Sequence, residues 1–531
     1  MISTPLVFAR ATRVKYYSLV LTTEIGGWMG KKRQNILLIT SDQQPWHTLG
    51  CMNPELQTPR LDQLAREGTL FNRAYCPNPT CTPTRASIIT GKYPSQHGAW
   101  SLGTKLSETE HTVGEDFQAA GYKTSLIGKA HFQPLRGTEA FPSVESYPLM
   151  QDLDYWRNFH GPFYGFEHVE LARNHTDEAH VGQHYAIWME ENGCKNWRDY
   201  FRPPSGNNRD QRRTWEIPEE FHYGTWISER SCALLDAYAE DEEPFFLWSS
   251  FFDPHPAYLV PKPWDTMYDP ESLSVPSVVD GEHDANPPHF RLTQEENPDF
   301  SDWKDGEFAM HGFRSHLTDR DELAKDIAIY YGMVSLMDSQ IGRILDKLES
   351  RGLAENTLVV FTSDHGHLYG QHGLTAKGPF HYEDLIRVPF LVRQPGRVPS
   401  GRRSDALQSL VDLAPSFLSW ANMEVPREMT GLDQSEVWTG QSDLVRDHVT
   451  VENRHTEWTI HVKTYVEDRY KITVYHKRDY GEIFDLQDDP GELVNLWDRP
   501  DCQDLKARLI RRLLDAEMAK EPLWMPRIWG A

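Results

Sequence analysis

Cysteine is scarce in this chain: Cys51, Cys76, Cys81, Cys194, Cys232 and Cys502 are the only six in 531 residues, and no two form a C-x-x-C pair. That spacing argues against a disulfide framework and gives no indication of a zinc site. Positive charge is also in short supply, with 54 Lys and Arg against 78 Asp and Glu and a net charge of −24. A nucleic acid or an anionic membrane is therefore not expected as the main partner. Long apolar runs are missing as well. Leu19, Val20 and Leu21 form only a short stretch, too little for a membrane span or a signal peptide. A cytoplasmic location is the corresponding expectation. Neither internal repeats nor low-complexity tracts occur.

What is present is enough for one large α/β domain and a smaller unit. Residues 1–30 read as an N-terminal extension, 31–455 as the main domain and 456–531 as a C-terminal subdomain. Asn35–Ser41, Phe245–Ser250 and Thr357–Ser363 are continuous apolar runs, the pattern of strands buried on both faces of a parallel sheet. Lys123–Ile127 reads as a further strand. Thr58–Gly68 and Val113–Ala120 read as helices, and Thr318 is expected to cap a long helix with Leu323, Ile327, Tyr330, Val334 and Ile341 in its apolar stripe. The stretch from Pro134 to Pro218 has no sustained period and reads as loops. Alternation from Tyr465 onward, followed by Gln503–Met518, predicts a small antiparallel sheet plus a helix. The fold class expected is α/β: a large mixed, mostly parallel sheet sandwiched by helices, with the small sheet and helix at the C-terminal end.

The polar residues fall in a regular place, just past the carboxyl end of each buried strand, where open α/β sheets bind ligands. Asp42 and Gln43 follow the first strand, Gly128-Lys129-Ala130-His131 another, Asp253-Pro254-His255 a third, and Asp364-His365-Gly366 a fourth. Asp42, Gln43, Asp364 and His365 together offer oxygen and imidazole ligands that suit Ca²⁺ or Mn²⁺. A separate string, Cys81-Thr82-Pro83-Thr84-Arg85 running on to Gly91, reads as a thiol at a helix start, with Thr82 able to cap and Pro83 suited to the first helical position. Such a start, with Arg85 one turn along the same face, favours a tetrahedral anion. Cys81 and Arg85 are four positions apart, which excludes the C-x5-R loop of cysteine phosphatases. His97, Trp46 and Trp100 lie near these segments and are expected to pack rather than to meet substrate.

The Cys81–Arg85 string resembles the C-x-P-S/A/T-R signature of type I sulfatases, in the alkaline phosphatase superfamily. Gly128–His131 is similar to that family's G-K-x-H, His255 to its P-H, Lys377 to its late lysine, and Gly481–Leu496 to its late G-E-I-F-D-L segment. The resemblance implies a sulfuric ester hydrolase whose Cys81 becomes formylglycine through a formylglycine-generating enzyme. It also implies a covalent sulfo-enzyme intermediate and one divalent ion, Ca²⁺ first and Mn²⁺ second. Asp42, Gln43, residue 81, Asp364 and His365 would hold that ion. Lys129 would neutralise the nucleophile or sulfate, His131 would take the proton that expels sulfate, and His255 and Lys377 would serve the leaving alcohol. Arg85 completes the implied catalytic set. The substrate implied is a small-molecule or glycan sulfate ester, its leaving-group pocket shaped by the loops within 134–240 and 265–318. A homo-oligomer is allowed. Phosphonate monoester hydrolases and phosphodiesterases of the same superfamily are the alternative. They typically lack the G-K-x-H pair, so Lys129 and His131 favour sulfate. A non-catalytic binding relative, with Cys81 left unoxidised, is the third reading.

Overall fold

Every central strand is buried on both faces, so its side chains alternate between two cores. In the first strand Ile36 and Leu38 enter one core while Leu37 and Ile39 enter the other. Leu358 and Val360 part from Val359 and Phe361 in the same way. That period of two is what a strand covered by helices on each side requires. A computed structural model of the chain describes residues 33–173, 180–201, 213–303, 311–456 and 459–529. Residues Gln34–Ala531 make one compact unit, and the expected extension over residues 1–30 lies outside the described residues.

The main sheet has strands β1 (Asn35–Ser41), β2 (Thr69–Phe71), β3 (Lys123–Gly128), β4 (His168–Leu171), β5 (Phe245–Ser250), β6 (Thr357–Ser363), β7 (Phe390–Arg393) and β8 (Arg402–Ser404). Their spatial order is β8-β2-β7-β6-β1-β5-β3-β4. The sheet is parallel except where β7 runs against β6 and β2. Helices α1 (Pro59–Glu67), α2 (Cys81–Thr90), α3 (Tyr223–Asp241) and α4 (Arg320–Ser350) cover it. Helix α2 joins the core that contains Ile36, and α1, α3 and α4 join the core that contains Leu37. A separate antiparallel sheet of β9 (Val449–Arg454), β10 (His461–Val466), β11 (Tyr470–Tyr475) and β12 (Gly481–Asp485) packs against α5 (Gln503–Ala519). No described helix is long and apolar enough to cross a membrane.

Several local readings change. Helix α2 begins at Cys81 itself, after an extended Thr80, so Thr82 is helical rather than the cap and Pro83 lies inside the first turn. Proline is tolerated there because first-turn N–H groups have no intrahelical partner. Gly91, at φ 64°, ends the helix as expected. Helix α4 is capped by Asp319, whose carboxylate accepts from the Asp321 and Glu322 N–H groups, and Thr318 lies outside it. Within Pro134–Pro218 the structure holds strand β4 and a helix, Gln183–Glu191. The strand is a short edge strand and the helix is buried almost all round, so neither leaves a period to read. The small sheet begins at Val449, ahead of the boundary drawn at residue 456.

The small sheet also grips the loop that carries Lys377. The buried Lys471 Nζ donates to the His381 carbonyl at 2.7 Å, lies 3.4 Å from Glu383 Oε1 and pairs with Glu492. Thr464 Oγ1 meets His381 Nδ1 at 2.6 Å, and the Glu383 N–H donates to Glu492 at 2.7 Å. Replacing Lys471 with Met strands these carboxylates in the interior, where loss of one partner of a buried ion pair costs roughly 3–5 kcal/mol. Urea unfolding of Lys471→Met should show that loss, and an unchanged midpoint would contradict the clamp.

Candidate active site

Four neighbouring parallel strands, in the order β6-β1-β5-β3, deliver polar residues to one edge of the sheet. Helix α2 brings Cys81 to the same place. Its sulfur lies 3.6 Å from Asp42 Oδ1, 3.2 Å from His365 Nε2, 3.8 Å from Lys129 Nζ and 3.2 Å from Lys377 Nζ. Lys377 Nζ is in turn 3.4 Å from both His255 Nε2 and His365 Nε2. Ten sequence-nominated residues thus divide into a metal-type cluster, a basic cluster and one buttress.

The buttress is Arg85. Its guanidinium is fully buried and donates to Asp364 Oδ2 at 2.8 Å, to the Lys129 carbonyl at 2.9 Å and to Ser250 Oγ at 2.7 Å. Through Nε and Nη1 it ties the ends of β3, β5 and β6 together, while Nη2 is buried without a partner among the described residues. Asp364 Oδ1 also accepts the N–H groups of Gln43 and His365, at 3.0 and 2.9 Å. Asp42 receives the Lys129 ammonium directly.

Asp42, Cys81, Asp364 and His365 offer ligand atoms that all lie within 4.8 Å of one another. His365 Nδ1 is held by the Gly366 carbonyl at 2.9 Å, which leaves Nε2 as the ligand nitrogen. Gln43 fits the same group. Its amide nitrogen bonds His367 Nδ1 at 2.7 Å, His367 Nε2 meets Tyr258 OH at 2.7 Å, and the amide oxygen is buried without a partner among the described residues. That orphaned acceptor, two carboxylates and an imidazole make a donor set for a hard or intermediate divalent ion.

Charge is strongly redistributed here. Burial by itself raises the Cys81 thiol, yet Lys129, Lys377 and His365, with a hydrogen bond from His131, draw it well below its ordinary value. Burial and the Cys81 charge push Asp42 up, but Lys129, His255 and Arg85 bring it to about 2. Burial, then Asp42, raises Asp364. Burial also keeps His255 and His131 low, so both imidazoles are neutral near pH 7. Gln43 at φ 64° and His131 at φ 60° occupy the left-handed region, a strained setting that clusters at functional sites. Gly128, at φ 108°, is needed because a Cβ would strike the Ser250 carbonyl.

A cavity of about 490 Å³ opens over this group and reaches Gln43, Cys81, His131, His255 and Lys377. Its outer wall adds Leu102, Leu135, Arg173, His180 and His311. Arg173, Glu145 and His367 escaped the sequence reading because each stands outside any recognisable motif. Asp253, placed just past β5 as its position in the sequence indicated, is raised to about 8 by burial and bonded to Tyr223 OH at 2.8 Å. His97 bonds Ser87 Oγ at 3.0 Å, and Trp46 lies under the Arg387 guanidinium, 3.8 Å from its ring centroid, so these two pack as expected.

The model of the sulfatase family matches residues 34–423. The chain belongs to the sulfatase family. At the level of reaction class it is a hydrolase acting on sulfate esters. A second model, the C-terminal part of N-sulphoglucosamine sulphohydrolase, matches residues 370–519 of this sulfatase. The arylsulfatase of Clostridium perfringens is 30% identical to it over 504 residues, covering 92% of this chain and 94% of the relative. The uncharacterized sulfatase YidJ of Escherichia coli is 29% identical over 507 residues, covering 94% and 91%. In fold, the phosphonate monoester hydrolase of Silicibacter pomeroyi aligns with a TM-score of 0.74 at 22% identity, over 93% of this chain and 96% of that one.

If the His367 bridge orients Gln43, then His367→Phe should weaken divalent-metal affinity roughly 10–100-fold, the usual cost of losing a partner behind a ligand. Competition with a fluorescent chelator measures this, and an unaltered affinity would remove Gln43 from the ligand set.

Proposed function

We propose that this sulfatase cleaves the sulfate monoester of a small molecule or glycan, using formylglycine made from Cys81 as its nucleophile. The observation that carries the reading is the position of Cys81 Sγ, between the metal-type cluster on one side and Lys377 with His255 on the other. In the mature enzyme the hydroxyl oxygens of the hydrated aldehyde take the place of that sulfur. A divalent ion, Ca²⁺ before Mn²⁺, held by Asp42, Gln43, Asp364 and His365, would supply positive charge that favours the deprotonated hydroxyl and steadies the sulfate oxygens.

The remaining work falls to the chain's own residues. One hydroxyl of residue 81, its proton already released to solvent, attacks sulfur as the alkoxide and the S–O bond to the alcohol breaks, with Lys377 giving a proton to the departing oxygen. His255 is neutral, and its Nδ1 meets the Pro256 carbonyl at 2.5 Å, so Nε2 accepts from Lys377 and aims it. Lys129, paired with Asp42, offsets the charge that gathers on the sulfate. His131, also neutral and bonded to residue 81, takes the proton of the second hydroxyl. The C–O bond to sulfate then breaks and the aldehyde returns. Maturation requires a formylglycine-generating enzyme as partner.

The test is a hydrolysis screen of an aryl sulfate, glycan sulfates, a phosphodiester and a phosphonate monoester, with wild type and Cys81→Ala. Sulfate ester turnover should fall on the order of 10⁴-fold or more in the variant, as for loss of other nucleophiles. The residue-81 peptide of wild type should be about 18 Da lighter than its thiol form, or equal to the hydrate of that species. Phosphonate turnover exceeding every sulfate ester by orders of magnitude would move the assignment to the phosphonate monoester hydrolases.

A further inference from the structure

The cavity beside Cys81 contains a guanidinium for which the hydrolysis above has no use. Arg173 lies just past β4, is 1% exposed, and forms part of the cavity wall. Its Nη1 donates to the Gln133 carbonyl at 3.0 Å and to Glu145 Oε2 at 2.8 Å. Its Nε is buried with no hydrogen-bond partner, and Nη2 makes no hydrogen bond among the described residues. Glu145 has no capacity left to satisfy the rest of the fork. Its two oxygens already accept the N–H groups of His131, Phe132 and Gln133 at 2.9, 2.9 and 3.1 Å. A buried guanidinium with unused donors is costly unless a ligand completes it. Leu102 and Leu135 share this part of the wall and give an apolar surface for a ring or a sugar face.

We infer that Arg173 binds a second oxyanion, a carboxylate or a further sulfate, carried by the alcohol portion of the substrate. The inference rests on the proposed sulfate ester reaction for the other end of that substrate. Lys377, His255 and residue 81 engage the ester, while Arg173, on the same cavity, meets the substituent. A planar fork pairs with carboxylate and sulfate oxygens through parallel hydrogen bonds, which a lysine cannot reproduce. The preferred substrates are therefore at least doubly anionic, drawn into a locally basic pocket on a chain whose net charge is −24. A hydrogen bond to a charged group contributes about 1.5–3 kcal/mol, which corresponds to roughly 10–150-fold in affinity.

Three aryl sulfates separate the sources of the oxyanion: 3-carboxyphenyl sulfate, benzene-1,3-disulfate and the neutral 3-methoxycarbonylphenyl sulfate. Wild type should favour at least one of the anionic esters over the neutral one by about 10–100-fold in kcat/KM, chiefly through KM. In Arg173→Gln that ratio should fall to near one. In Arg173→Lys, which keeps a charge against Glu145 and so guards the fold, it should fall part of the way. Because the ratio is taken within each variant, general damage to folding cancels. Equal losses on all three esters would instead assign Arg173 to the reacting sulfate or to packing, and would overturn the inference, as would a wild-type ratio near one. Calorimetry on Cys81→Ala, with and without Arg173→Gln, reads the binding of benzene-1,3-disulfate against phenyl sulfate without turnover. If no ester is cleaved but that calorimetric preference exists and depends on Arg173, the anion site stands and the reaction falls. If esters are cleaved with no preference, the reaction stands and the site falls.

Discussion

Asp42, Asp364, Arg85 and Lys129 are all essentially out of contact with solvent, and charges in such a medium persist only when each is compensated at close range. Here the compensation runs from strand to strand. Arg85 joins Asp364, at the end of β6, to the Lys129 carbonyl after β3 and to Ser250 at the end of β5. Lys129 returns to Asp42 after β1. The network stitches four strand ends into one rigid rim, and Cys81 is pinned at its centre by the first turn of α2. Removing any member leaves an opposite charge buried and alone, so stability and chemistry depend on the same contacts.

Around that rim, other parts of the chain hold what the network cannot reach. Lys377 follows the short strand Thr375–Ala376, and the chain just beyond it has no regular structure of its own. The small antiparallel sheet holds it through Lys471, His381 and Glu492. The segment carrying His131 is gathered by Glu145, which accepts three successive backbone N–H groups and so sustains a positive φ at His131. Gln43 is handled in the same spirit by His367 and Tyr258. In each case a segment without regular structure is fixed by side chains from outside it.

The division between rim and wall also separates reaction class from substrate. Residues around Cys81 face one another across a buried polar cluster and leave little freedom for change. The outer cavity wall is drawn from connections after α2 and β3, after β4 and before α4, where Leu102, Leu135, Arg173 and His311 project from loops. Loops of that kind vary without disturbing the sheet, which is why the family is evident along nearly the whole chain while the alcohol that leaves is decided by a few side chains.

Strongly patterned segments were legible without coordinates. The runs 35–41, 245–250 and 357–363 read as doubly buried strands because they are short, mostly apolar and rich in β-branched or aromatic residues, and polar residues placed just after them mark one sheet edge. The nominated site residues Asp42, Cys81, Lys129, His131, His255, Asp364, His365 and Lys377 follow from that edge and from short motifs. The edge strand His168–Leu171 and the buried helix Gln183–Glu191 were not legible, since a short strand and a helix buried almost all round carry no period. Nor could local sequence show that Arg85 faces inward as a buttress, that His367 turns Gln43, or that Arg173 enters the cavity. Periodicity reports which face of an element is buried. Which partner a buried polar group meets depends on residues hundreds of positions away, and only packing in three dimensions decides it.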